Sequence, residues 1–501
     1  MTNILYDGIF AHHRESTKPF LVTHDSLVRY CDFDQRVARL VNLLLERGLE
    51  PGARVAVQAE KSVMALALYV AVIRAGGVYL PLNTGYTPRE LEYFIKDAAP
   101  VLVIMDDKVA ASVKPVANET GASVLTLNAD ESGSLGDAAA AMESSAPVIS
   151  RDHDDLAAIL YTSGTTGLSK GARLTHRNLL SNALVLEQAW GFTADDVLLH
   201  MLPIYHTHGL FVASNLLALV GGTMIFLPKF STDDAIRFLP KATTMMGVPT
   251  FYTRMLADTR FDASLGRHMR LFISGSAPLL AETHREFETR TGHRILERYG
   301  MTETNMCTSN PLDGERRGGT VGQPLAGVAL RIADETGAPV AEGEIGIIEV
   351  KGDNVFQGYW QMPEKTAESF RPDGFFITGD MARLDADGYV TIVGRDKDLI
   401  ISGGLNVYPK EVEALIDAID GVVESAVIGC PHPDFGEAVV AVVVRSDENL
   451  AAESVQAPLS DALARFKQPK EVIFLDALPR NTMGKVQKAE LRKNYGGLFS
   501  G

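Results

Sequence analysis

"LYTSGTTGLSKG", residues 160–171, follows the apolar run "LAAILY" at 156–161 and precedes the helical pattern "RNLLSNALVLEQ" at 177–188. A strand, a glycine-rich loop and a helix in that order are the parts of a phosphate-holding turn in an α/β sheet. Gly164, Gly167 and Gly171 let the backbone approach a ligand and take up positive φ angles. Thr162, Ser163, Thr165 and Thr166 add hydroxyl donors, and Lys170 adds a mobile positive charge. The Walker ending Gly-Lys-Ser/Thr is missing, since Ser169 precedes Lys170 and Gly171 follows it, and no G-x-G-x-x-G is present. On composition alone the stretch also fits a Gly-Ser-Thr surface turn, so the surrounding chain has to decide.

Outward from the loop, "ARVAVQAE" (53–60), "VLVIM" (101–105) and "RLFISG" (270–275) alternate with helical patterns, which predicts parallel sheets wrapped by helices. "KSVMALALYVAVIRAGG" (61–77) is apolar on nearly every side and ends on two glycines, as a buried helix does. "GDAAAAMESSAP" (136–147) reads as a surface loop or frayed helix. After about residue 340, "GEIGIIEVKG", "GFFITGDMARL" and "VTIVG" predict short antiparallel strands. Beyond "GRDKD" (394–398) a helix opening at Pro409, the strands "ESAVIG" and "AVVAVVVR", a polar helix and "EVIFLDAL" form an α+β unit of ordinary domain size. The expected class is therefore α/β: a large N-terminal domain, 1–394, of α/β subdomains plus a small β-barrel, and a small mobile α+β C-terminal domain, 395–501.

Composition narrows the partners. With 501 residues the chain exceeds what one core organises. Lys and Arg total 47 against 63 Asp and Glu, a formal net charge of -16, and there is no long basic run, so nucleic acid is not an expected partner. The three cysteines, Cys31, Cys307 and Cys430, show no paired spacing, and neither a disulfide framework nor structural zinc is indicated. The opening residues lack a leader or lipidation pattern, which leaves a cytoplasmic address as the expectation. The uncharged run from Thr207 to Pro228 is broken by Ser214, Asn215, Gly221 and Gly222, and reads as a buried helix and strand rather than a membrane span.

Seven motifs in fixed order, "YTSGTTGLSKG", "LPIYHTHGL", "SGSAPL", "ERYGMTET", "TGD" at 378–380, "GRDKDLIISGGLNVYPKEVE" and "LPRNTMGKVQK", resemble the adenylate-forming superfamily of acyl-CoA synthetases, adenylation domains and firefly-type luciferases. The resemblance implies ATP and coenzyme A as co-substrates and Mg²⁺ as cofactor. A carboxylate first displaces pyrophosphate from ATP, and a thiol then displaces AMP. Both partners of the first step are anions, so the protein's task is alignment and charge neutralisation.

On that resemblance Lys485 is the lysine set against the α phosphate, and Glu303 holds the metal, with Thr165 as a second metal contact. Thr302 reaches the α phosphate, Tyr299 and Gly300 lie against adenine, and Gly275, Ser276, Ala277 and Pro278 line its edge. Thr162, Ser163, Gly164, Thr165, Thr166, Gly167 and Lys170 take the β and γ phosphates; Asp380 and Arg395 take the ribose. Lys397 falls on the hinge and Gly403 and Gly404 on the pantetheine path. Acetylation of Lys485 would erase a required charge, which makes a lysine acetyltransferase a candidate regulatory partner.

The acid has to be read from the pocket. His206 and His208 sit where the family places the wall beside the acyl group, each also fitting a structural histidine. Arg254 is an uncommon charge in "GVPTFYTRML", and that segment with "ERYGMTETNMCTSNP" resembles malonyl-CoA synthetases. The resemblance implies that Arg254 holds the distal carboxylate of malonate or methylmalonate, with Arg285 in reserve and Met306 beside the α carbon; the alternative for Arg254 is an i,i+4 pair with Asp258. Two other readings stay open: ligation of another small acid to CoA, and a stand-alone adenylation enzyme that loads a carrier protein.

Overall fold

The apolar runs that alternate with helices become the centres of two sheets. In the computed structural model, which describes residues 2–162, 169–402, 405–481 and 484–499, the first sheet has six strands in the spatial order Ser123–Thr126, Leu102–Met105, Arg54–Gln58, Val78–Pro81, Leu156–Thr162 and Lys170–Thr175. All neighbours are parallel except the last pair, which runs antiparallel with Thr162 opposite Lys170. The second sheet has nine strands; its central ones, Leu296–Met301, Leu271–Ser274, Thr244–Gly247, Val197–His200 and Thr223–Phe226, are parallel. In such sheets ligands gather beyond the carboxyl ends of the strands. His200, Gly247, Ser274 and Met301 occupy those ends here.

The two sheets are joined by buried helices. Val63–Arg74 is buried along its whole length, starts at Ser62, whose hydroxyl accepts from Ala65 N at 3.1 Å, and stops where Gly76 turns to φ +76°. Its Tyr69 hydroxyl donates to Asn215 Oδ1 at 3.2 Å, at the start of a helix of the second sheet. The uncharged run after Thr207 forms a π-helix, His208–Ser214, an α-helix, Asn215–Val220, and the strand Thr223–Phe226, buried along almost all of its length. Among the described residues no helix is long and apolar enough to cross a membrane. The alanine-rich stretch after residue 133 forms a short helix, Ser134–Ala140.

The segment expected to form a small β-barrel contributes a four-stranded antiparallel sheet, Ala329–Ala333, Gly346–Lys351, Phe376–Leu384 and Val390–Arg395. Its register sets Asp380 opposite Arg395. One 3₁₀ turn, Asp396–Asp398, then leads into the last sheet, whose long hairpin Val422–His432 and Gly436–Arg445 carries Glu471–Leu475 along one edge. The four-stranded sheet has a buried charge knot: Glu349, with no solvent exposure, accepts from Arg331 and Arg371, both at 2.7 Å. Replacing Glu349 with alanine leaves Arg371 without a carboxylate among the described residues and Arg331 with Asp373 alone, at 2.7 Å. We expect Glu349→Ala to destabilise the protein by about 3–5 kcal/mol in denaturant unfolding; a loss below about 1 kcal/mol would mean that the pair behaves like an exposed one.

Candidate active site

The hairpin Leu296–Met301 and Asn305–Ser309 carries the "YGMTE" residues, and its shape follows from two local constraints. A β-bulge falls between Tyr299 and Gly300, and a Cβ on Gly300 would lie 1.9 Å from Asn305 O and 2.7 Å from the Met306 methyl. Asn305 takes φ +48°, and its side chain donates to Asn354 O at 3.0 Å, while Phe356 N donates to Glu303 O at 2.8 Å. The tip, Thr302–Thr304, is thereby pinned against the Asn354–Phe356 segment.

Glu303 is buried at that tip, and its Oε1 accepts from Thr162 at 3.3 Å and from the Tyr359 hydroxyl at 3.1 Å. Among the described residues it has no ion-pair partner. A buried carboxylate with one oxygen fixed by neutral donors and no counter-cation suits a hard divalent ion that keeps waters and phosphate oxygens as its other ligands. Lys170 opens the adjacent strand, and its ammonium lies 4.8 Å from the Tyr359 ring centre. Of the residues expected to form the phosphate loop, Thr162 and Lys170 thus flank Glu303. Ser163, Gly164, Thr165, Thr166 and Gly167 lie outside the described residues, as do Gly403 and Gly404.

Asp380 is buried and bonded on both oxygens: Oδ2 accepts from the Tyr299 hydroxyl at 2.6 Å and Oδ1 pairs with Arg395 Nε at 2.8 Å. Tyr299 is buried beside it, and that burial with the neighbouring carboxylate pushes the phenol pKa upward. Gly275–Pro278 follow the strand end at Ser274; Ser276 has φ +70° and its hydroxyl meets His208 Nδ1 at 3.2 Å. Lys397 is exposed on the 3₁₀ turn between the last two sheets.

Lys485 comes from the far end of the chain into the same cleft. Its loop is closed by Asn481 N to Lys485 O and Lys485 N to Asn481 Oδ1, both 2.9 Å, and Gly484 has φ +74°. A Cβ on Gly484 would sit 4.0 Å from Thr250 Oγ1, on the first turn of the helix Pro249–Leu256. The Lys485 side chain keeps contact with solvent at the mouth of the cleft. Partial enclosure and the charges of Arg395 and Arg298 push its pKa down, against the opposing pull of Asp380 and Glu303. Burial, Lys485 and Arg298 together push His206 down to about 3, so its ring is neutral near pH 7.

Arg298 was not singled out by the sequence reading. It is buried, a Cβ on Gly275 would lie 2.4 Å from its Cζ, and its Nε and Nη2 have no partner among the described residues. Burial pushes its pKa down to about 9. It lies one residue before Tyr299, so strand alternation turns it to the opposite side, toward Tyr252, His206 and His208. The signal was present as a charged residue inside an otherwise buried strand. Arg254 is exposed one helical turn beyond Thr250, and Asp258 pairs with Arg260 instead, at 2.7 Å. Arg285, the reserve candidate, is exposed on the helix Ala281–Thr291 and is not part of the cluster; a surface helix position carries its charge into solvent. Met306 is buried against the Gly300 bulge.

A family profile described as AMP-binding enzyme matches residues 10–360, and one described as AMP-binding enzyme C-terminal domain matches 411–485. The chain is 36% identical over 478 residues to a malonate–CoA ligase of Arabidopsis thaliana, covering 88% of this chain and 78% of that one. The ATP-bound crystal structure of MatB from Rhodopseudomonas palustris superposes with a TM-score of 0.97 at 56% identity over 99% of both chains. Apo MatB from the same organism, 57% identical over 100% of both chains, gives 0.86.

The hairpin geometry carries its own test. Gly300→Ala should cost at least about 1–3 kcal/mol through overpacking against Asn305 O, read as a lowered melting temperature; an unchanged melting temperature would contradict the close approach.

Proposed function

The chain belongs to the AMP-binding enzyme family, and on that footing we propose that it is an AMP-forming acyl-CoA synthetase that ligates malonate or its methyl-branched homologue to coenzyme A. The observation that carries the choice of acid is Arg298: a buried guanidinium with two unpaired nitrogens, beside neutral histidines and within electrostatic reach of Lys485. A monocarboxylic acid leaves that charge uncompensated, whereas a second carboxylate supplies its partner.

In the first half-reaction an oxygen of one malonate carboxylate attacks the α phosphorus of ATP, the bond to the bridging oxygen breaks, and pyrophosphate leaves. Arg298 holds the distal carboxylate, with Arg254 as an outer cation at the rim, so the reacting carboxylate is aimed by its far end. Lys485 donates to the α phosphate and the incoming oxygen and cancels their repulsion. Asp380, already turned by Tyr299 and Arg395, accepts from the ribose hydroxyls. Gly275–Pro278 border adenine and Thr302 reaches the α phosphate. Thr162 and Lys170 take the terminal phosphates, and Glu303 would hold Mg²⁺, which supplies charge neutralisation across the phosphate oxygens. In the second half-reaction the thiol sulfur of coenzyme A attacks the acyl carbon and AMP leaves.

We assign 1–394 to binding of ATP and acid, and 395–501 to a domain that turns about Lys397 between the two steps. The arrangement described here has Lys485 in the cleft, which suits the first step, and its greater likeness to ATP-bound than to apo MatB supports that reading. Acetylation of Lys485 would remove the charge the first step uses and leave the second intact. The free cysteines suit a cytoplasmic setting, where ATP and coenzyme A are supplied.

The direct experiment is pyrophosphate release from a panel of short acids with ATP, Mg²⁺ and free coenzyme A. Malonate or methylmalonate should lead; preference for acetate or a long-chain acid would overturn the dicarboxylate reading. Arg298→Met should lower kcat/KM for malonate by roughly two to three orders of magnitude, the loss of charged hydrogen bonds, with ATP affinity little changed. Lys485→Ala should abolish pyrophosphate release but keep most thioester formation from supplied malonyl-AMP. Equal loss of both half-reactions would contradict its role.

A further inference from the structure

Lys61 stands immediately before the helix Val63–Arg74 and is buried, yet among the described residues no carboxylate pairs with it. Its ammonium lies 2.8 Å from His200 Nδ1, 2.8 Å from His200 O and 4.3 Å from the centre of the Phe226 ring. A buried lysine that spends its hydrogens on one histidine and one aromatic face is costly to keep, since burial alone drives its pKa well down. The geometry shows what it does there.

His200 ends the strand Val197–His200, and its other ring nitrogen, Nε2, lies 2.9 Å from Gly209 O. A carbonyl only accepts, so Nε2 carries the hydrogen. Burial and the neighbouring ammonium hold the ring neutral, which leaves Nδ1 as the acceptor that Lys61 needs. The Ser214 hydroxyl also donates to Gly209 O, at 2.8 Å. Two side chains thus converge on one carbonyl inside the π-helix His208–Ser214, a wide turn of the kind that marks functional segments. Gly209 packs closely on the preceding turn and admits no side chain, because a Cβ there would lie 2.0 Å from Pro203 O. Directly before it come His206, Thr207 and His208, and His208 reaches Ser276 on the adenine edge.

We propose that Lys61 is a positioning residue of the acid pocket: by fixing His200 as its Nε2-protonated tautomer it holds the Gly209 carbonyl, and through it the wall formed by His206, Thr207 and His208. The effect crosses from the six-stranded sheet, whose strand Arg54–Gln58 leads into Lys61, to the nine-stranded sheet that ends at His200. The proposal rests on reading that wall as the acid pocket, and it adds a residue that touches neither acid nor nucleotide.

The test begins with the full-length wild-type enzyme without substrate, labelled with ¹⁵N-histidine and with His200 assigned by loss of its signals in His200→Gln. Near neutral pH its Nδ1 should be unprotonated and its Nε2 protonated; an Nδ1-protonated or cationic ring overturns the proposal. Lys61→Met, which keeps the length and loses the charge, should raise the KM for malonate roughly tenfold to a hundredfold, the cost of a displaced positioning group, with the KM for ATP changed by less than about twofold. A folded Lys61→Met enzyme with unaltered malonate KM overturns it. Should that variant not fold, His200→Gln, whose amide can both accept from Lys61 and donate to Gly209, should keep a malonate KM well below that of His200→Leu; equal values overturn it. A wild-type enzyme that does not activate malonate defeats the pocket reading instead, and the tautomer of His200 is measured independently of that result.

Discussion

Two anions meet only where cations have been gathered beforehand, and gathering them works against the protein's own electrostatics. Arg298 and Arg395 each lie within electrostatic reach of Lys485, and Lys485 loses basicity to both. What keeps the set together is a matched group of acids. Asp380 pairs with Arg395 directly, and Asp380 and Glu303 both pull Lys485 toward its charged form. Arg298 alone has no such partner. The charges are therefore balanced around Asp380 and Arg395 and unbalanced at Arg298, and on the proposed function that is the asymmetry a dicarboxylic substrate corrects.

The fold delivers these charges from separate places. Glu303 and Arg298 come from one hairpin of the nine-stranded sheet, Asp380 and Arg395 from facing positions of the four-stranded sheet, and Lys485 from a loop after the last strand. None is close in sequence to the next group, so each group's placement depends on a different packing contact. The bulge at Gly300 sets the hairpin tip, the register of the four-stranded sheet sets Asp380 against Arg395, and Gly484 brings the lysine loop up to Thr250. Only the last of these is a contact between chain segments on either side of the single turn at Asp396–Asp398, which is the contact that the proposed turning about Lys397 would break.

Much of this was legible in the sequence. The runs at 53–60, 101–105, 156–161 and 270–275 became strands within a residue or two of their apolar limits, because parallel strands buried on both faces are apolar throughout. The helix before Gly76 was readable from the same uniform apolarity and its glycine stop. Arg298 is less legible, although it sits inside the motif "ERYGMTET". A motif marks residues by identity, while the use of an inward-facing charge depends on what surrounds it, and the room for the Arg298 guanidinium is left by Gly275, at the end of the neighbouring strand. Arg254 drew attention because its neighbours are apolar, but in a helix those neighbours turn inward and leave the arginine at the rim. Lys61 gave no local signal at all: its hydrogen-bond partner, His200, is 139 residues away.

On the proposed function, discrimination among acids follows from the polar groups left unsatisfied around Arg298. Thr207 Oγ1, His208 Nε2, Ser274 Oγ and two nitrogens of Arg298 are buried without a protein partner among the described residues, and they cluster around the ends of the strands Leu271–Ser274 and Leu296–Met301 and the start of the π-helix. Such groups add little affinity for an acid that cannot reach them, and each polar group left unpaired by a shorter or apolar acid costs roughly 1–3 kcal/mol. Sites built this way reject an analogue lacking a polar group far more strongly than apolar pockets reject a missing methylene. That strictness requires the donors to stay where they are when the pocket is empty. A wall hung on a bulged π-helix is soft unless something behind it is rigid, and the rigid element behind this one is a histidine whose tautomer a buried lysine dictates.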